Sequence, residues 1–259
     1  MTTKARLFLG VLTLLSLLAY LAVFASSPET ANWLTHEDHL YENIQAASFL
    51  LASILFLILY FRDQSGNDYV LVETRRNAFF LALALMFFFG FAEELSWGQR
   101  IFRWQTPAQL KEMNVQGETT IHNLKLFDAR GAQKSFWDDV LNYGRVYAVF
   151  CSTFCFVIPL LDRSSRFLSK WIRRLNIPLV PLWMGVLFPL NSVTYKILEL
   201  YCPNSLRRTP SEVKETVFAI LFAGVSIWFL TENRNHTESI GAREKQIPIS
   251  AAQSASTFP

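Results

Sequence analysis

Two adjacent acidic residues, Glu93 and Glu94, stand at the end of one of the most apolar stretches of the chain, and Arg100 follows them. A carboxylate at the end of an apolar helix normally faces a partner, an ion or a water-filled cavity. Two crowded acids in a partly buried site also raise the pKa of one of the carboxyls, and a carboxyl with a raised pKa can serve general acid–base chemistry. With His122 from the following loop, these residues are candidate catalytic groups. The alternative is an ion pair between Glu93 and Arg100, which share a helix face and would lock the helix end.

A second group of residues has the chemistry of a metal site. His36 and His39 are three positions apart, a spacing that lets both imidazoles reach one ion on a helix face, and Glu42 lies one turn further on. Imidazole and carboxylate together favour a divalent metal such as zinc, and His122 is a further candidate ligand. The alternative is a capped helix start around Thr35, which would explain the acids of this segment but not its histidines. The chain has no HExxH motif.

Candidate substrate-binding residues lie in two polar segments. One is a loop rich in amides and hydroxyls, which could fold over the outer mouth of the protein or make ordinary solvated turns. The other is a polar stripe with helical spacing in a late apolar block, which suits a substrate site or hydrogen bonding between helices. These candidates are Asn114, Gln116, Glu118, Asn191, Tyr195 and Glu199.

The elements that must position these residues are membrane-spanning helices. The chain has 259 residues, 51% hydrophobic and 17% charged, whereas soluble domains carry nearer a quarter charged residues. Its apolar blocks are long enough to cross a bilayer as helices and are continuous, which excludes the alternation of a membrane barrel. We predict an all-α polytopic membrane helix bundle, a single domain over 1–231 with a disordered cytoplasmic tail over 232–259. The predicted spans lie near 7–25, 44–61, 78–96, 146–161, 175–195 and 213–231, with an outer loop over 97–145.

The first apolar block could serve as a signal peptide, but its length favours a retained anchor. Cytoplasmic loops carry an excess of Lys and Arg, which gives the orientation. The segment 26–43 has four acids and neither Lys nor Arg, whereas basic clusters follow the second and fourth predicted spans. Both termini are therefore predicted to be cytoplasmic, with the candidate residues outside. We expect a multi-pass protein of a bacterial inner membrane.

Membrane lipids are the partners that the sequence indicates. The segment 162–174 reads as a basic interfacial helix, with Phe167, Trp171 and Ile172 for the membrane and Arg and Lys for anionic head groups. The net charge of +3 comes without a basic, aromatic-interleaved patch, so nucleic-acid binding is not expected. Three cysteines without a CxxC pattern indicate neither a disulfide framework nor a redox motif.

The octapeptide Glu93–Arg100, read with Asn114, Gln116, Glu118 and the dipeptide His122–Asn123, resembles a signature of uncharacterised bacterial multi-pass inner-membrane proteins, EE-[IL]-S-W-G-Q-R followed by HN. The resemblance covers the second to fifth predicted spans and implies a polytopic helical fold but no activity. More distantly, the chain is similar to CPBP intramembrane proteases, which carry EExxxR. Here Gly98 occupies the position of that arginine. It is also distantly similar to alkaline ceramidase-like hydrolases, whose late-helix zinc histidines have no counterpart in the late predicted spans.

Three functional hypotheses follow. The first is a membrane-embedded hydrolase or transferase that acts on a lipid or lipid-linked substrate at the outer face, with Glu93, Glu94, His39 and His122 as its reactive cluster. The second is a non-enzymatic accessory or assembly subunit of a membrane complex, in which the same groups tie the outer loop to the helix ends. The third is a small transporter, for which the sequence offers neither an inverted repeat nor a matching pair of broken helices.

Overall fold

A computed structural model describes residues 1–36, 39–63, 67–68, 73–74, 76–114, 117–121, 124–125, 142–203, 206 and 208–246, without the side chains of 67–68, 73–74, 100, 101, 143 and 233–246. Its longer helices are α1 (Thr3–Phe24), α2 (Pro28–Thr35), α3 (Leu40–Arg62), α4 (Ala78–Glu94), α7 (Tyr143–Ser152), α9 (Arg166–Arg174), α11 (Leu187–Tyr201) and α12 (Thr209–Gln246). The shorter ones are α5 (Gln99–Phe102), α6 (Ala108–Met113), α8 (Ile158–Ser164) and α10 (Leu182–Gly185). Two-residue strands, β1 (Asn67–Asp68) and β2 (Glu73–Thr74), pair in antiparallel fashion between α3 and α4.

Four helical stretches of the described chain are long and apolar enough to cross a membrane: Thr3–Phe24, Pro28–Arg62, Gly144–Ser164 and Thr209–Glu232. The prediction of a helical protein with several helices able to cross a membrane is confirmed. α4 and α11 are also apolar but have only 17 and 15 residues. Six spans and cytoplasmic termini stay predictions.

Phenylalanine rings in contact with one another hold the centre of the bundle together. α3 packs along α4 and α12, and the ring of Phe87 on α4 lies 5.7 Å from that of Phe56 on α3 and 4.6 Å from that of Phe222 on α12. Phe188 on α11 approaches Phe222 at 5.0 Å. α12 is the central helix, since 72% of its most apolar 18-residue stretch is buried, whereas 11% of the corresponding stretch of α1 is buried at the periphery.

The fifth predicted span begins later than the sequence suggested. We expected a helix from 175, but the helical backbone starts at Leu182. The preceding segment contains Asn176 in a left-handed conformation, φ 51°, and then Pro178 and Pro181. Proline lacks a backbone N–H and disfavours helical geometry in the residue before it, so the segment cannot continue as a helix.

At the other end of the chain, α12 continues to Gln246. The first part of the predicted disordered tail is therefore helical, while residues 247–259 lie outside the described chain.

Most buried polar side chains gather at one end of the bundle, where α4 ends and α3 and α12 begin. We call this the polar end. Its buried polar residues are Gln45, Glu93, Glu94, Ser96, Asn114, Thr120, Asn191, Thr209, Lys214 and Thr216. At the opposite end Asn77 caps α4 and donates to the carbonyl oxygen of Asn176 at 2.8 Å. Four of the candidate residues, Glu93, Glu94, Asn114 and Asn191, thus belong to the polar end.

Candidate functional site

The regular geometry of α4 stops abruptly after Glu94. Ser96, Trp97 and Gly98 follow one another in left-handed conformations, with φ of 46°, 55° and 80°. Residues other than glycine adopt this region at a cost of about 1 kcal/mol or more each, so the surrounding contacts must hold the turn in place. The turn sends the chain back over the helix end into α5 and α6. We call residues 96–114 and 117–121 the cap.

Glu93 fastens the cap to the helix. Its side chain is only 1% exposed, and both carboxylate oxygens accept hydrogen bonds. The indole Nε1 of Trp97 donates to Oε1 at 2.5 Å, and the backbone N–H of Ile121 donates to Oε2 at 2.7 Å. Bonds to an ionised acceptor are among the stronger hydrogen bonds in proteins. The carboxylate therefore joins the turn at Trp97 to the last residue of the cap, Ile121.

The next residues of the octapeptide make similar contacts. The hydroxyl of Ser96 donates to Glu118 Oε2 at 2.8 Å. The amide oxygen Oε1 of Gln99 accepts from the backbone N–H of Thr119 at 2.9 Å and from the hydroxyl of Thr106 at 3.1 Å. Glu118, which was predicted to bind a substrate, therefore accepts a hydrogen bond from Ser96 within the cap.

Asn114, another predicted substrate ligand, also holds the cap together. Its Nδ2 donates to the carbonyl oxygen and the hydroxyl of Thr120 at 2.8 and 3.0 Å, and its Oδ1 accepts from the backbone N–H of Glu118 at 3.4 Å. The side chain is buried. Its polar groups thus face neighbouring cap residues.

Glu94 turns the other way, into the bundle. Gln45 Nε2 on α3 donates to Glu94 Oε1 at 2.8 Å. The hydroxyl of Thr216 on α12 lies 3.4 Å from Gln45 Oε1 and 3.3 Å from the carbonyl oxygen of Tyr41. A polar chain thus runs from α4 through α3 to α12. The two adjacent glutamates are both buried but serve different neighbours.

Three more carboxylates surround Glu94. Glu42, Glu212 and Glu215 lie close enough to repel its charge. We call Glu42, Glu94, Glu212 and Glu215 the glutamate cluster. Lys214, only 4% exposed, lies beside it, with its Nζ 3.5 Å from Glu215 Oε1. Like charges in a poorly solvated place destabilise one another, so this cluster is costly to maintain.

The late polar stripe divides into two parts. Asn191 Oδ1 accepts from the hydroxyl of Tyr20 on α1 at 2.6 Å, and its Nδ2 donates to the carbonyl oxygen of Lys214 at 2.9 Å. Asn191 therefore joins three helices. Tyr195 donates to Glu199 Oε1 at 2.9 Å, on a more exposed face.

The histidine pair is not arranged as predicted. His36 follows the end of α2 and His39 precedes the start of α3, so they share no helix face. Their rings still meet edge to face at 5.7 Å. Thr35 belongs to α2 and bonds to Thr209 at 3.2 Å; it does not cap the next helix. No three His, Cys, Asp or Glu side chains form a metal-binding group within the described residues.

Other predicted site residues fall outside the description. His122, Gln116 and the side chain of Arg100 are among them. Sequence reasoning missed Gln45 and Lys214, although both are polar residues at the edges of apolar blocks, which is the signal that could have identified them.

We compared the chain with known protein families, with curated proteins and with solved structures, and none of them matches.

Proposed function

We propose that this protein is a non-enzymatic accessory or assembly subunit of a membrane complex, which carries the cap as a fixed platform at the polar end. The supporting observation is the state of Glu93. A catalytic carboxylate must offer a lone pair or a proton to its substrate. Both oxygens of Glu93 are instead engaged by Trp97 and Ile121, and the side chain is buried.

The surface of the cap also supports docking. The rings of Phe102 and Trp104 stack at 5.6 Å, although these side chains are 70% and 45% exposed. Met113, at 54% exposure, adds a flexible apolar side chain. Apolar groups on a fixed polar scaffold are typical of surfaces that a protein partner or a membrane interface covers.

The second candidate is the membrane-embedded hydrolase or transferase, acting on a lipid or lipid-linked substrate. The observation that favours it is the glutamate cluster around Glu94. Ionisable groups inside membrane proteins are energetically costly and often belong to functional sites. In such sites, repulsion between like charges gives neighbouring acids different pKa values. Glu94 would be its reactive carboxyl, with His39 and His122 as partners. A zinc site of His36, His39, Glu42 and His122 would belong to this candidate alone.

Complementation of a deletion strain separates the two candidates when variants are compared at equal protein abundance. Glu94→Gln retains the shape of the side chain and an acceptor for Gln45 but removes the charge and the titratable proton. An accessory subunit with this change complements as the wild type does. An enzyme that uses the carboxyl for proton transfer loses about 100-fold or more of its rate. The exposed Glu112 provides the matched control, Glu112→Gln.

Substitutions at Glu93 give the complementary result. For an accessory subunit, Glu93→Ala lowers abundance, and complementation returns when expression is raised. Failure of Glu94→Gln at wild-type abundance, with Glu112→Gln fully active, would reject the accessory role in favour of the enzyme.

A further inference from the structure

The basic helix α9 follows a stretch that is long and apolar enough to cross a membrane. The stretch Gly144–Ser164, which can cross a bilayer, is separated from α9 by a single residue, Ser165. Ser165 breaks the helix with φ −128° and ψ 111°, and its hydroxyl accepts from the backbone N–H of Leu168 at 3.3 Å. A helix that directly follows such a stretch would begin at the membrane surface when the stretch crosses the bilayer.

One face of α9 packs on the protein and another presents aromatic rings outward. Ile172 is buried, at 8% exposure, and Leu168 is half-buried. Phe167 and Trp171, one helical turn apart, are 71% and 41% exposed. The sequence predicted Phe167, Trp171 and Ile172 as membrane contacts, but Ile172 points to the bundle. Two exposed rings on one side of a surface helix are suited to the boundary between head groups and acyl chains.

Beside the aromatic rings runs a row of exposed cations. Arg166, Lys170 and Arg173 recur every three or four residues and so share a face of α9, and Arg163 is exposed in the last turn of α8. Arg173 is held by Asp162, with 3.4 Å between Nε and Oδ1. Arg166 and Lys170 form no salt bridge with an acid of the described chain, so their charges can serve an external anion.

We propose that α9 binds the head groups of anionic phospholipids, with Arg166 and Lys170 as the principal contacts. Membrane phosphate is favoured over a soluble anion because Phe167 and Trp171 lie beside the cations, and only a lipid offers an apolar phase next to its phosphate. Arg174, whose guanidinium lies 5.5 Å from the centre of the Trp171 ring, adds a further charge at this boundary.

Lipid retention by the full-length protein tests this inference. The purified chain is placed in nanodiscs of equal phosphatidylcholine and phosphatidylglycerol, and native mass spectrometry counts the lipids that remain bound. A basic residue near an anionic surface contributes about 1 kcal/mol, so Arg166→Gln with Lys170→Gln lowers the preference for phosphatidylglycerol by about 30-fold. The control, Lys125→Gln with Arg208→Gln, makes the same charge change at two exposed positions outside α9 and outside the cap.

Wild type retains phosphatidylglycerol, the control behaves as wild type, and the double variant in α9 loses the preference. A double variant that keeps its preference within about twofold of wild type overturns the proposal, as does an equal loss in the control. If the α9 variant does not fold, salt supplies the test on the wild-type protein. Raising NaCl from about 50 to about 500 mM must then reduce the preference, because salt screens surface charges. An unchanged preference overturns it.

Discussion

Replacing Glu93 by alanine removes the acceptor of two hydrogen bonds at the base of the cap. Leaving a buried donor unpaired costs about 1–3 kcal/mol. Trp97 is 38% exposed and Ile121 42% exposed, so water can reach both donors after the truncation. For two donors the expected loss in the free energy of unfolding is therefore near the lower end of the summed cost, at about 2–3 kcal/mol. For a chain of this size that corresponds to a fall in Tm of about 4–12 °C.

Glutamine at the same position separates the two bonds. Its amide keeps one carbonyl oxygen but places an NH2 group against the other donor. We therefore expect Glu93→Gln to lower the free energy of unfolding by about half as much as Glu93→Ala does. Thermal unfolding of the detergent-purified full-length chain, followed by size-exclusion chromatography, gives Tm, and limited proteolysis reports release of the cap. Glu112→Ala removes an exposed carboxylate from the cap and is the matched control.

Two results would refute this reasoning. One is a Tm for Glu93→Ala within about 1 °C of that for Glu112→Ala, which would mean that the bonds contribute no net stability. The other is a cap that is as resistant to protease as in the wild type while the helices unfold earlier. Glu93 would then stabilise the bundle and not the cap.

Two further predictions concern backbone geometry. Ser96 has φ 46°, a conformation that glycine adopts without strain and alanine does not. Both substitutions remove the hydrogen bond to Glu118, so thermal unfolding should show Ser96→Gly about 1 kcal/mol more stable than Ser96→Ala. At an ordinary helical position the order of the two variants is the reverse. At Gly185 an added Cβ would lie 2.0 Å from the carbonyl oxygen of Cys155, so Gly185→Ala should lose about 3 kcal/mol and most of its abundance in membranes, whereas Gly10→Ala, with nothing within 4 Å, should keep wild-type abundance. Equal abundance of the two alanine variants would contradict the second prediction.

The helical nature of the chain could be predicted from its apolar blocks because hydrophobicity over about 20 residues is a property of the local sequence. The directions of Glu93 and Glu94 could not. Neighbouring residues on a helix point about 100° apart, but the sequence does not say which neighbour stands on each side. Only the packing of α3 and α12 against α4 places Gln45 beside Glu94 and leaves Glu93 to the cap.

The metal prediction shows a different limit. It assumed that His36 and His39 belong to one helix, where three residues bring side chains together. The chain instead ends α2 and starts α3 between them, as their cap positions show. The two rings still meet at 5.7 Å, and the ring of Trp33 on α2 packs against His39 at 4.7 Å, so tertiary packing and not helical periodicity brings the histidines together. A spacing rule holds only within one element, and the sequence did not reveal this break.

The placement of the two glutamates links the stability of the cap to the charge inside the bundle. One peptide bond joins Glu93, bound to the cap, with Glu94, bound to α3. A movement of the end of α4 that disturbs one side chain therefore changes the surroundings of the other. Repulsion within the glutamate cluster disfavours the buried position of Glu94, whereas the hydrogen bonds of Glu93 hold the same helix end in place. Variants that alter one carboxylate while preserving the shape of both are consequently needed to assign a function to either.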